Sequence, residues 1–202
     1  EIVPRIDGHE LPSQYGCRAF TSTGAPYDAR RAAFLESAST VSTSCTGTLA
    51  PVVVGALEQA KRDLATLRIH DFDHGTHAWT MAAGLPVYVS LFGRDTLTAS
   101  WQAAMASLEM MPGTLAELAR WQGSEVNDWR DEQPGRMLHQ AERGPLAMLN
   151  INPLGRYYGS ITTSGFYPVV LSELWHWTGD KNLVRPFLDP AQSLDGLWGS
   201  DA

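Results

Sequence analysis

Residues 48–69 read TLAPVVVGALEQAKRDLATLRI, and the fold class turns on this stretch. Leu49, Val53, Leu57, Ala60, Leu64 and Leu67 recur at steps of three and four, which lines one face of an α-helix. Glu58, Lys61, Arg62 and Asp63 fall mostly off that face. The spacing predicts a helix over 48–69 with the apolar stripe buried. Working outward, a second helix is expected over 95–110, burying Leu97, Trp101, Ala104, Met105 and Leu108 and stopping at Pro112-Gly113. Thr114-Leu115-Ala116-Glu117 has the capping-box pattern and opens a third helix to about Gln122. A fourth spans 165–178 and ends at Gly179, where glycine suits a left-handed cap. Short helices are expected over 28–36 and from Asp180 until Pro186 interrupts. Residues 123–161 read as loop, and Val87–Phe92 as a short extended segment. The expected class is all-α, with residues 1–36 an irregular N-terminal segment and 37–202 one helical domain.

Composition narrows the function. The 202 residues carry a net charge of -7, which gives no electrostatic support to phosphate or nucleic-acid binding. No apolar run reaches the roughly 18–20 residues of a membrane span, and no secretion signal is visible at the start, as would also hold for a mature chain. Cys17 and Cys45 are the 2 cysteines and fit no zinc spacing; free thiols in a reducing, cytoplasmic setting are the expectation, with a single disulfide the alternative. P-loop, dinucleotide, GxSxG and HExxH motifs are absent. There are 7 Trp, 6 Tyr and 6 Phe, enough to stack on sugar rings or to fill a helical core.

Chemistry concentrates in the loops. Arg94 and Asp95 sit before the second helix, where the pair can hold vicinal hydroxyls, or Asp95 can cap the helix beside a salt-bridged Arg94. The run from Asn127 to His139 holds Trp129, Arg130, Asp131, Glu132, Pro134, Gly135, Arg136 and Met137, a sugar subsite or a solvated loop. Tyr157-Tyr158-Gly159 adds aromatics. His70, Asp71, Asp73, His74 and His77 lie within eight residues, yet no helix fixes their spacing, and a polar loop is preferred to a metal site.

Taken in order, these pieces resemble the bacterial glycogen-debranching, amylo-α-1,6-glucosidase-like glycoside hydrolases. The matching segments are Arg62-Asp63-Leu64, Ala83-Gly84-Leu85-Pro86 and Leu91-Phe92-Gly93-Arg94-Asp95-Thr96-Leu97. Then come Gln122-Gly123, Trp129-Arg130-Asp131-Glu132 with Pro134-Gly135, Leu138-His139, Tyr157-Tyr158-Gly159 and Trp177-Thr178-Gly179-Asp180. The likeness is ordered and covers roughly 40–185.

The resemblance implies an (α/α)6 barrel, here a partial one, and inverting hydrolysis of α-glucosidic bonds without metal or organic cofactor. Inversion needs one carboxylic acid and one carboxylate base. It implies a sugar site made of Arg94, Asp95, Trp129, Arg130, His139 and Tyr158. The partners implied are a carbohydrate substrate and either the remainder of the barrel or another subunit. Two departures stand out. Thr162 occupies the place of the family's expected acidic residue, and a hydroxyl cannot supply that proton near neutral pH. Twelve helices with their connections also need roughly 350 residues, so the base-bearing later helices are expected to lie outside this chain. Glu132 is then the candidate acid, through partial desolvation among Trp129, Pro134 and Met137, with Asp131 the runner-up. Alternatively both carboxylates hold sugar hydroxyls or pair with Arg130 and Arg136. A noncatalytic sugar- or partner-binding relative, or a helical structural domain, are the competing readings.

Overall fold

A computed structural model describes residues 5–6, 9–10, 26–44 and 46–189. It is 55% helix and 7% strand, which places the chain in the all-α class. The cysteine expectations fall on Cys17 and Cys45, outside the described residues. Two strands, β1 (Arg5–Ile6) and β2 (His9–Glu10), pair antiparallel near the start. The helices are α1 (Pro26–Ser37), α2 (Ala50–Thr66), α3 (Gly93–Gln102), α4 (Met110–Arg120), α5 (Pro145–Met148), α6 (Ile161–Thr178) and α7 (Lys181–Val184). Between them β3 (Leu91–Phe92) pairs antiparallel with β4 (Gln140–Ala141). Among the described residues no helix is long and apolar enough to cross a membrane.

Helices α3, α4 and α6 pack mutually and build the main core. Leu97, Leu115, Leu118, Met137, Leu138, Tyr158, Tyr167, Val170 and Leu174 are fully enclosed there. A second core joins Phe34 of α1 and Ala65 of α2 to Trp79, Met81 and Met110. The second core thus includes α1, which covers the short helix expected over 28–36.

Where the local signal was a backbone requirement, it held. Gly179 closes α6 at φ 64, its N–H reaching the Trp175 carbonyl at 2.7 Å. Asp180 caps α7 by accepting from the Asn182 and Leu183 amides.

Three packing expectations need correction. The α2 stripe is largely in solvent: Leu49 is 74% exposed, Val53 55% and Leu57 42%, while Lys61 and Ala65 face inward. Lys61 enters because its ammonium is met by Glu58 at 2.7 Å and the Ser39 carbonyl at 2.8 Å. The expected 95–110 helix breaks after Gln102 into a 3-10 turn, so Trp101 and Met105 turn outward. Pro112 and Gly113 end nothing; they lie in the first turns of α4, where proline loses no helical hydrogen bond. Thr114 is accordingly no N-cap, and Glu117 no capping partner.

Both of those residues are buried for other reasons. Thr114, Thr80 and Thr96 close a triangle of hydroxyls, at 2.6, 3.1 and 3.1 Å. Three O–H groups and three acceptors can satisfy one another in such a ring. Glu117, in contact with no solvent, accepts from the Trp121 indole at 2.5 Å and Arg120 at 2.7 Å, and meets His74 Nε2 at 2.9 Å. Trp79, also fully buried, donates its indole N–H to Glu109 at 2.9 Å.

The extended segment through Trp79 crosses α4 at Gly113. A Cβ there would stand 2.1 Å from the Trp79 nitrogen and 2.4 Å from its oxygen. Gly113→Ala should therefore destabilise the protein by at least about 2 kcal/mol, because overpacking against backbone outweighs alanine's helix preference of about 1 kcal/mol. Urea unfolding of the wild type and variant measures the difference; equal midpoints would contradict the close approach.

Candidate functional site

The resemblance-bearing loops meet at one end of α3 and α6. Their junction is Gly93, where a Cβ would lie 2.1 Å from the Leu138 carbonyl oxygen and 2.6 Å from Thr163 Cγ2. Only glycine lets β3, the 137–139 segment and the first turn of α6 come this close. The Gly93 N–H donates to the His139 carbonyl and the His139 N–H to the Tyr157 carbonyl, each at 2.8 Å. This ladder lays Phe92, His139 and Tyr157 side by side. Their ring centroids are 6.0 and 5.8 Å apart, and Tyr88 extends the row to Phe92 at 5.8 Å, all edge-on.

Arg94 and Asp95 occupy the first turn of α3, both partly exposed and 3.9 Å apart, too far for a hydrogen bond. The N-cap position belongs to Phe92 and carries no side-chain cap, so Asp95 is not the helix cap that the alternative reading offered. Both charges act on His139. Burial pushes the His139 pKa below its usual 6.5, Arg94 adds to the depression, and Asp95 opposes it. Its Nδ1 is buried without a hydrogen-bond partner, an arrangement less costly for a neutral ring than for imidazolium.

On the other flank the 127–132 loop is closed by reciprocal Asn127 and Glu132 backbone hydrogen bonds of 3.0 Å. Asp131 stands at φ 52 in this tight loop, exposed, with its carboxylate hydrogen-bonded by the Tyr157 side chain. That bond, then burial and the Asp131 charge, push the Tyr157 phenol upward, against Arg136, so it remains a donor at neutral pH. Asp131 thus lies beside Tyr157, whose ring neighbours His139, and Arg94 and Asp95 are near enough to act on His139 through their charges.

Three expected site residues belong elsewhere. Tyr158 is fully buried; its hydroxyl donates to the Trp121 carbonyl at 2.6 Å and its ring packs below Arg156. It cannot stack on a ligand. Glu132 is the second correction, since its side chain has no solvent contact and so cannot reach a glycosidic oxygen. Arg130 stands 2.6 Å from Oε2, while Arg156 at 3.0 Å and the Ser124 amide at 3.0 Å donate to Oε1. The Arg130 contact is an ion pair with poor hydrogen-bond angles, which leaves Oε2 without a directional donor. Arg130, third, is committed to Glu132 and Glu125. Arg136 donates to the Asp131 carbonyl and not to either carboxylate. Trp129 is 58% exposed on the same loop.

Tyr157 was the residue missed. The extended pairing of Gln140 with Tyr157 sends neighbouring side chains to opposite faces, so one tyrosine of the pair had to be buried. Which one depends on the partner strand. Gly159 keeps room for it: a Cβ there would meet the Tyr157 hydroxyl at 2.2 Å.

The 70–77 run disperses into separate pairs. Asp73 binds Arg30 and Arg68, Asp71 binds Arg143, His74 meets Glu117 and His77 meets Glu109. Among the described residues no group of three His, Cys, Asp or Glu converges as metal ligands would. Thr162 is exposed and bonded to the Ser160 hydroxyl at 3.1 Å.

No family model matches the chain, and a sequence search finds no match among curated proteins.

Two outcomes test this geometry. Glu132→Gln should lower stability by about 2–4 kcal/mol, because it leaves half-buried Arg156 without its counter-ion and Arg130 with only the exposed Glu125; unchanged urea midpoints would show a solvated carboxyl instead. His139 and His70 are both held below 6.5 by burial. The unfolded chain therefore binds protons first as pH falls, and stability should decline from near pH 6.5 downward, levelling below the folded-state values. His139→Gln should flatten that slope between pH 7.5 and 5.5; an unaltered slope would contradict the assignment.

Proposed function

We propose that this chain binds α-linked glucosyl units at the shared end of α3 and α6, and forms part of a glycoside hydrolase of (α/α)6-barrel type. The observation that carries the reading is the gathering of Arg94, Asp95, Asp131, His139 and Tyr157, from three separate segments, along one aromatic row. Asp95 and Asp131 can accept from sugar hydroxyls, and Arg94 can donate to them. Neutral His139 can do either, and the ring edges suit an uncharged ligand. The packed helices α3, α4 and α6 are compatible with neighbours in a helical ring.

The site's chemistry favours binding over turnover within this chain. Inverting hydrolysis needs an acid and a base on opposite sides of the bond. Thr162 stands where the resemblance places an acid, and Glu132 is sealed between arginines. Carboxylates able to complete the reaction would come from the rest of the ring or another subunit. The alternative, a noncatalytic sugar-binding relative, draws on the same two facts.

Calorimetry with maltotetraose, compared with galactose and inorganic phosphate, tests the binding. Binding of the α-glucan alone is expected, weakened at least about tenfold by Asp95→Ala or Tyr157→Ala, the scale of one lost charged hydrogen bond or stacked ring. No heat with any α-glucan would end the proposal. With activated and unactivated α-glucosides alike the chain should show little or no turnover, at equal residual rates for wild type and Glu132→Gln; a rate lost in the variant only on the poor leaving group would restore Glu132 as the acid.

A further inference from the structure

The α2 stripe is exposed at Leu49, Val53 and Leu57 and half-buried at Leu64 and Leu67, which also pack against the second core, and it borders a groove of about 530 Å³. One wall is α2, with Leu57, Ala60, Leu64 and Leu67. The other is the end of α3 and its 3-10 turn, with Ala99, Ala103, Met105 and Ala106. The groove has a small ligand's volume but lacks the convergent polar groups that would orient one. Of its charged lining residues, Lys61 is committed to Glu58 and the Ser39 carbonyl, and Asp63 accepts from Gln59. The apolar surface also runs on along α2 through Val53, Val52 and Leu49, a linear shape that matches a helix.

We infer that this face is where a second copy of the chain docks, α2 against α2 in antiparallel register about a two-fold axis. The residue pattern is self-complementary. Ala50, Val53, Leu57, Ala60, Leu64 and Leu67 follow a seven-residue repeat, the period of paired helices. With the axis between Leu57 and Ala60, Leu57 lies over Ala60 of the second copy, Val53 over Leu64, and Ala50 over Leu67. Larger side chains thereby meet smaller ones at every level, as interdigitated packing requires. Val41, Leu49, Val52, Val53, Leu57 and Met105 together expose roughly 600 Å², about three quarters of the roughly 800 Å² per partner of a standard interface and within the range of weak, reversible dimers. The net charge of -7 opposes close approach of two copies, and physiological salt screens it beyond about 8 Å.

Sedimentation velocity of the 202-residue chain at physiological salt, between about 1 and 100 μM, reads the outcome directly. A monomer–dimer equilibrium is expected in that range. Leu57→Asp should shift the chain to monomer while its far-UV circular dichroism stays native, and Val53→Asp, at a still more exposed position, should do the same should the first variant misfold. Trp175→Asp, on the exposed face of α6, should leave the dimer intact. A monomer throughout the range overturns the inference. So does a dimer that survives both α2 substitutions, or one that is lost only with Trp175→Asp, which would place the interface on α6.

Discussion

An extended segment crosses the helical body through Trp79, Thr80 and Met81, all buried, and the rest of the structure is arranged around its passage. Such a strand brings backbone polar groups into a dry interior, so each needs a partner. The Trp79 N–H is taken by the Glu109 carbonyl, the Thr80 carbonyl by the Ile69 N–H, and the Ala82 N–H by the Leu67 carbonyl. Side chains complete the arrangement. The Thr80 hydroxyl ties α3 to α4 through Thr96 and Thr114, and the Trp79 ring fills the second core beneath Arg68. Gly113 gives the segment its clearance. This one crossing sets how α1, α2, α3 and α4 sit together.

Buried and half-buried carboxylates form the second tier of organisation. Glu117 gathers His74, Arg120 and Trp121, while Glu109 gathers Ser37, His77 and Trp79. Glu132 draws Arg130 and Arg156 together beneath the 127–132 loop. Each anion collects donors from segments distant in the chain and holds loops that carry little apolar surface of their own. Truncating one partner of such a pair is costly, because it strands a charge away from water. Charged residues in these loops are therefore structural as often as they are available to a ligand. The exposed Asp95 and Asp131 differ in kind from Glu132 for this reason.

The proposed sugar site rests on that scaffold. Gly93 brings α3 and α6 end to end, and the β3–β4 ladder orders Phe92, His139 and Tyr157. A neutral histidine among ring edges, with Asp95 near it and Asp131 beside Tyr157, is an environment of hydrogen-bonding groups and modest net charge. That balance suits hydroxyl recognition better than binding of anions or metals.

The sequence by itself determined the helical class, the end of α6 at Gly179, the start of α7 after Asp180, and the loops in which the candidate residues lie. Periodicity and capping act within a few residues, so Gly179 and Asp180 could be read without a tertiary context. Tertiary structure decided which faces are buried and which polar groups are free. The best apolar stripe, on α2, is largely in solvent at Leu49, Val53 and Leu57, because burial depends on what lies opposite and not on the stripe. Thr114 and Glu117 fit a cap by spacing, yet their partners come from Thr80, Thr96 and His74, far away in sequence. Of the adjacent Tyr157 and Tyr158, alternation along an extended segment required one to be buried. Only the packing against Trp121 and Arg156 decided that it is Tyr158, since a side chain's exposure is fixed by the elements folded over it.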